Sequence, residues 1–232
     1  MNEVIDEGYI LNTKTYKEAD AMMWVYLKDS GLKHFIYKGY FKPGSKRLAS
    51  GLSFHLYQFK FKDKESLITP IEIVTKKAYH QLTQNMQVVA LAQIINSIYL
   101  QFHQHLSYSL YQWTIEAFND FDNERLVLCL FLVDCLNQMG LQPFVDGDVK
   151  TNQSQVNHFD IKAGGMIYRP IKSIYNVEEL RLIRQLFKAK PSNYSIISNA
   201  HIDLRIVGLI VDYFEYHTSF HLNGYHFYLD LL

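Results

Sequence analysis

The side chains with chemistry to offer come in pairs. His103 and His105 in "HQH", and His217 and His221 in "HTSFH", stand at spacings a divalent metal can use, but neither pair brings the acid of an H-E-x-x-H pattern. Asp120 with Asp122, and Asp146 with Asp148, fall in loop-like stretches where capping and turn roles account for them. Cys129 and Cys135 lie in the apolar run "LVLCLFLVDCL" and read as packing thiols. Two cysteines cannot build a four-cysteine zinc site, nor a disulfide framework in a chain of 232 residues, so a reducing cytosol fits best. There is no phosphate-binding G-x-x-x-x-G-K-[ST] loop, no G-x-G-x-x-G fingerprint and no G-x-S-x-G elbow. Binding is therefore expected rather than catalysis, with no cofactor and no metal.

Positive charge is the feature that remains. "KHFIYKGYFKPGSKRLASG", residues 33–51, holds five basic side chains and no acid in a chain of formal net charge zero. Between Asp29 and Asp63 there is no carboxylate, yet seven cations occur: Lys33, Lys38, Lys42, Lys46, Arg47, Lys60 and Lys62. Residues 1–77 carry 13 Lys and Arg against 9 Asp and Glu, and residues 78–232 carry 10 against 14. Gathered on one surface, the cations would form the footprint a polyanion requires. Otherwise they are a solvated, lysine-rich face.

The elements that must position these residues change character along the chain. "GYILNTKTY" and "DAMMWVYL" are rich in aromatic and β-branched residues, and "HLYQFKFKD" alternates. His55, Tyr57, Phe59 and Phe61 take one face there, and Leu56, Gln58, Lys60 and Lys62 the other. In "KPGS", Pro43 presets φ and Gly44 supplies the positive φ of a type II turn, so Lys42, Lys46 and Arg47 flank a loop. "SLITPIEIV" adds a last strand after Pro70. Five short strands in residues 1–77 suit a small OB-fold barrel.

From Tyr79 the period becomes helical. Val88, Leu91, Ile95, Ile98 and Phe102 repeat at helix spacing, as do Leu126, Leu130 and Val133 in a segment that opens on Asn123 and closes on Gly140. Residues 78–232 read as an all-helical domain in an α+β chain, with an irregular insertion over 141–175. Helices resume at "NVEELRLIRQLFKA" and "AHIDLRIVGLIVDYFEYH". The Asn-Gly in "FHLNGYHFY" suggests a terminal hairpin. The apolar stretch "LTQNMQVVALAQIINSIYLQF" is interrupted by Gln, Asn and Ser and reads as a buried helix rather than a membrane span. "MNEVIDEGYI" has neither the basic nor the apolar region of a secretion signal. A cytoplasmic location without membrane association is expected. Seventeen tyrosines and fifteen phenylalanines exceed what a core needs, and Tyr is the ring that can meet water or a partner.

Ordered landmarks then resemble the bacterial recombination mediators of the RecO family. These are Glu7-Gly8 opening a strand, Tyr16-x-Glu18-x-Asp20, Lys38-Gly39, a basic loop with Ser45 and Arg47 at a one-residue offset, Gly164-Gly165, and Leu204-Arg205 in a late helix. Each piece is short, but their order spans nearly the whole chain. The resemblance implies a non-enzymatic DNA repair protein that binds single- and double-stranded DNA, anneals strands, and works with RecR to load RecA onto DNA coated by single-stranded DNA-binding protein. Lys38, Lys42, Lys46, Arg47, Lys60 and Lys62 are the candidate phosphate contacts, with Tyr37, Tyr40 and Phe41 as candidate stacking rings.

Two departures stand out. Tyr168 and Ile171 occupy positions where many relatives have the cysteines of a zinc module, so apolar contacts from Phe144, Phe159, Met166, Ile167 and Tyr168 are expected to hold that lobe. The chain also ends without the family's basic tail. The acidic helical part is expected to dock proteins, in some relatives the C-terminal tail of the single-stranded DNA-binding protein, and Arg125, Arg181 and Arg184 are candidates for meeting its carboxylates. Two rivals stand beside this reading: an adaptor whose barrel binds acidic protein tails with little DNA affinity, and a metal-dependent nuclease using the histidine pairs.

Overall fold

The computed structural model describes residues 3–45, 53–62, 67–120, 122–171, 173–193 and 201–232. Contacts divide the chain into two compact units, Met1–Asp120 with Gly224–Leu232, and Phe121–Asn223.

The first unit is built on five antiparallel strands: β1 (Glu3–Tyr16), β2 (Asp20–Leu27), β3 (Gly31–Tyr37), β4 (Leu56–Lys62) and β5 (Glu72–Lys77), in the order β3-β2-β1-β4-β5. The 14-residue β1 serves two partners. Its first half pairs with β4, from Glu3↔Lys62 to Tyr9↔Leu56, and its second half with β2, from Gly8↔Leu27 to Tyr16↔Asp20. A parallel bridge, Phe35↔Ile68, links the β3 edge to the segment that leads into β5. The alternation expected of β4 is observed: Tyr57, Phe59 and Phe61 are fully buried, and they pack with Ile10, Met23, Val25 and Phe35 on the sheet's inner side. Gly8 is where β2 crosses closest, since a Cβ there would stand 2.3 Å from the Tyr26 carbonyl oxygen.

Three helices follow, α1 (His80–Gln84), α2 (Met86–Phe102) and α3 (Tyr108–Asp120). Asn85 separates the first two and caps α2, its side chain accepting from the N–H groups of Gln87 and Val88. The register of β1 slips between Ile10 and Asn12, and the Leu11 carbonyl released by that bulge accepts from the Asn96 amide of α2 at 2.8 Å. Asn96 in turn accepts from the Tyr111 hydroxyl, and the Tyr26 hydroxyl donates to the Leu106 carbonyl. The tyrosine excess is thus largely structural. Tyr9, Tyr57, Tyr79, Tyr99 and Tyr111 are fully buried in this unit, and burial pushes the phenols of Tyr9 and Tyr111 far up.

The second unit contains α4 (Glu124–Gln138), a hairpin of β6 (His158–Asp160) and β7 (Gly165–Ile167), α5 (Val177–Lys188), a 3-10 turn (Pro191–Asn193) and α6 (Leu204–Thr218). Asn123 caps α4 as its position suggested, and Asn176 with Glu179 forms a reciprocal capping box on α5. Cys129 and Cys135 are buried core thiols, each held far from ionisation by desolvation. The insertion is more ordered than its composition indicates. Besides the hairpin, Phe144 bridges to Gly165, which lies so close that a Cβ would stand 2.1 Å from the Phe144 carbonyl oxygen. Asp148 accepts from the N–H groups of Lys150, Thr151 and Tyr168, which hold its carboxyl below the usual carboxylate range. Of the apolar residues expected to hold this lobe, Phe159, Met166 and Ile167 are buried, whereas Phe144 and Tyr168 are exposed.

One expectation fails outright. The terminal Asn-Gly is not a hairpin turn but the start of α7 (Asn223–Asp230). Tyr225 and Tyr228 repeat at helix spacing and are buried, and a Cβ on Gly224 would meet Ile94 at 2.9 Å. The glycine serves close packing, and the apolar period overrides the turn signal.

Candidate nucleic-acid interface

The loop after β3 is tied down at its root. Gly39, at φ +65°, donates its N–H to the Asp20 carboxylate at 2.7 Å, and the Phe41 N–H donates to the Ala19 carbonyl at 2.9 Å. These bonds anchor the loop on the β1–β2 turn. The turn "KPGS" is as expected: Gly44 has φ +74°, and the Ser45 N–H returns to the Lys42 carbonyl at 3.0 Å. Lys38 and Lys42 are exposed on this loop, while Lys46 and Arg47 lie outside the described residues.

The aromatic residues of the loop divide by burial. Tyr40 is 5% exposed and belongs to the core, with Tyr37 packed against it at 5.8 Å between ring centroids. Phe41 is 40% exposed and stands edge-on to Tyr40 at 4.8 Å. Among these three rings, Phe41 is the one offered most openly to solvent.

Lys60 and Lys62 occupy a different place. They project from the outer face of β4, paired in register with Ile5 and Glu3 at the start of β1, whereas the loop sits at the end of β1. Fourteen extended residues span about 45 Å, so the two groups are well separated even along a bent strand. The cations that form one acid-free run in sequence therefore form two groups on the sheet. Nor is the second group acid-free, because Lys60 pairs with Glu3 at 3.0 Å and faces Glu72 across the β4–β5 ladder. That lysine holds the Glu3 carboxyl below its usual range.

Register supplies residues the charge run did not indicate. Lys14, near the end of β1, and Lys17, in the β1–β2 turn, are exposed at the same end as the loop. Cross-strand pairing sets Asn12 beside Trp24, and Trp24 beside His34. Lys14 and Lys17 precede Asp29, so a count confined to the acid-free run passes over them.

In the second unit, Arg181 and Arg184 share one face of α5, three residues apart, and line a cavity of about 670 Å³. Ile171, Ile174 and Val177 line it too, all strongly exposed. Arg205 completes the rim, ion-paired with Glu179 at 2.9 Å and set over the Tyr175 ring at 4.9 Å. Arg184 donates from Nε to the Val145 carbonyl. Arg125 is not among the lining residues; it stands 4.0 Å from Glu124 at the start of α4. Among the described residues no three His, Cys, Asp or Glu side chains gather as a metal site, and no helix is long and apolar enough to cross a membrane.

A five-stranded antiparallel sheet that carries a cationic loop and precedes helices along the chain defines an OB-like class of module. Residues 1–79 match the family described as "Recombination protein O N terminal". Over 212 residues the chain is 24% identical to the DNA repair protein RecO of Lactobacillus acidophilus, covering 88% of this chain and 78% of that protein. The resemblance to the RecO family drawn from ordered landmarks is borne out. Several of those landmarks have structural duties: Gly8 admits β2, Asp20 holds Gly39, and Arg205 clasps Glu179.

Proposed function

We propose that the chain serves DNA repair and recombination by binding single- and double-stranded DNA, annealing complementary strands, and assisting RecR in loading RecA onto DNA coated by single-stranded DNA-binding protein. The family match supports the recombination role. The observation that carries DNA binding is the anchored β3–β4 loop, which presents Lys38, Lys42 and the Phe41 ring at one end of an OB-like sheet. Phosphates bound there release counterions, and aromatic rings accept bases without regard to sequence. In this reading residues 1–77 carry the DNA, and the helical part docks proteins. The apolar, arginine-rimmed cavity of the second unit suits an acidic and hydrophobic peptide end, which supports docking of the single-stranded DNA-binding protein's tail.

The test is fluorescence anisotropy of labelled oligonucleotides across a salt titration. With about four phosphates engaged, log affinity for single strands falls against log salt with a slope near −3. Lys42→Ala/Lys46→Ala/Arg47→Ala flattens that slope to about −1, since three contacts at about 0.7 each are lost. A triple variant that binds like the wild type refutes the loop assignment.

A further inference from the structure

Trp24 has no part in the loop described above, yet it sits where a nucleic acid on the β2–β3 face would pass. It is half-buried in mid-β2, on the face opposite the Met23 and Val25 core. The Lys14 ammonium stands over its ring at 5.5 Å from the centroid, and the exposed His34 ring meets it edge-on at 5.7 Å. Across the β1–β2 ladder lies Asn12, which with Thr13, Ser53, Gln93 and Ser97 lines a cavity of about 580 Å³ in the same unit. Within that lining, the Thr13 hydroxyl oxygen is buried without a hydrogen-bond partner. Asp20, which shares this end of the sheet, already accepts from Gly39.

These three features correspond to the three parts of an unpaired nucleotide. An indole offers a face for a base, an ammonium beside it meets the phosphate, and the Asn12 amide across the ladder, which lines a polar cavity, meets a base edge. A duplex cannot use the same arrangement, because its bases are already stacked on one another and their edges paired. We infer that Trp24 is the stacking platform of a site selective for single-stranded nucleic acid. Lys14 takes the adjoining phosphate, and the Asn12 cavity receives the edge of a neighbouring base. This inference rests on the DNA-binding reading above and adds strand selectivity to it.

The chain has two tryptophans, Trp24 and Trp113, so intrinsic fluorescence reports on the site directly. Full-length protein is titrated with an oligothymidylate of about 15 nucleotides and with a duplex of equal length, following both tryptophan emission and the anisotropy of a label. Wild-type emission is quenched by the single strand. Trp24→Phe keeps a stacking ring, so it binds within about twofold of wild type while the quench is lost. Trp24→Ala weakens single-strand binding about five- to hundredfold and leaves duplex affinity unchanged. Equal single-strand affinity in wild type and Trp24→Ala overturns the inference and leaves loop-based DNA binding standing. Should Trp24→Ala fail to fold, an undiminished quench in Trp24→Phe overturns it instead. A wild type that binds neither strand form removes the DNA reading and this site together.

Discussion

Glu3→Gln tests whether the Lys60 ion pair withholds a cation from DNA. Lys60 and Glu3 meet at 3.0 Å with their side chains 35% and 51% exposed, and Lys60 also faces Glu72 across the neighbouring ladder. A lysine so placed already has its counterion. Binding a phosphate there would exchange one anion for another, so little condensed cation is released on its account. Lys60→Ala should therefore leave the salt slope for single strands within a few tenths of wild type, against about 0.7 for an unpaired lysine that engages a phosphate. Glu3→Gln removes the competing charge and keeps the side chain's size. If DNA reaches this end of β1, the slope steepens by about 0.7, which is about a two- to threefold larger loss of affinity between 50 and 200 mM salt. The assay is the same anisotropy titration, with circular dichroism to confirm that both variants fold. A Lys60→Ala variant whose slope flattens as much as that of Lys42→Ala would refute the reasoning, because it would show the ion pair opening at no cost to the contact.

Two further outcomes concern the second unit and the pH response. Arg181→Ala/Arg184→Ala should weaken binding of a labelled acidic peptide copied from the C-terminal tail of the single-stranded DNA-binding protein by at least about tenfold, as expected for charged hydrogen bonds in a partly apolar site, while oligonucleotide affinity stays at the wild-type level; unchanged peptide binding would remove the cavity from the docking scheme. His55 is buried, its pKa is lowered chiefly by desolvation, and its Nδ1 accepts from the Tyr79 N–H, so the folded state holds the neutral ring. A lowered folded pKa gives stability that is present above the unfolded value near 6.5 and lost as pH falls through the folded value. Urea midpoints should thus drop between pH 7.5 and 5.5 by more in wild type than in His55→Gln; equal drops would show that His55 does not drive the loss.

How much of this could be read beforehand depends on the range of the interaction. The β4 alternation, the "KPGS" turn and the cap at Asn123 are local, set by periods of two or 3.6 and by single side chains reaching their own backbone, and all were legible. The terminal Asn-Gly was misread because its meaning is not local. Gly224 is small to admit Ile94, 130 residues earlier, and the turn rule has no knowledge of that neighbour. The tyrosines show the same limit. Their number was visible, but their role required the carbonyl of Leu106 and the amide of Asn96 to be nearby.

The charge run shows the same limit, because counting along the chain takes no account of cross-strand neighbours. Antiparallel pairing brings Glu3 and Glu72 to Lys60 from 57 and 12 residues away, which turns an acid-free sequence into a neutralised patch. At the other end of β1 the same kind of pairing adds Lys14, which the count had passed over, while the β1–β2 turn adds Lys17 and the nearby carboxylate of Asp20 is spent on a backbone N–H. Exposed cations thus gather where β1 ends: Lys14 over Trp24, Lys17 in the β1–β2 turn with the exposed Glu18, and Lys38 and Lys42 on the Phe41 loop. A polyanion follows potential that is not already matched. Under the proposed DNA-binding function, a strand would therefore run across the β2–β3 face toward the β3–β4 loop and leave the Lys60–Glu3 end to the fold.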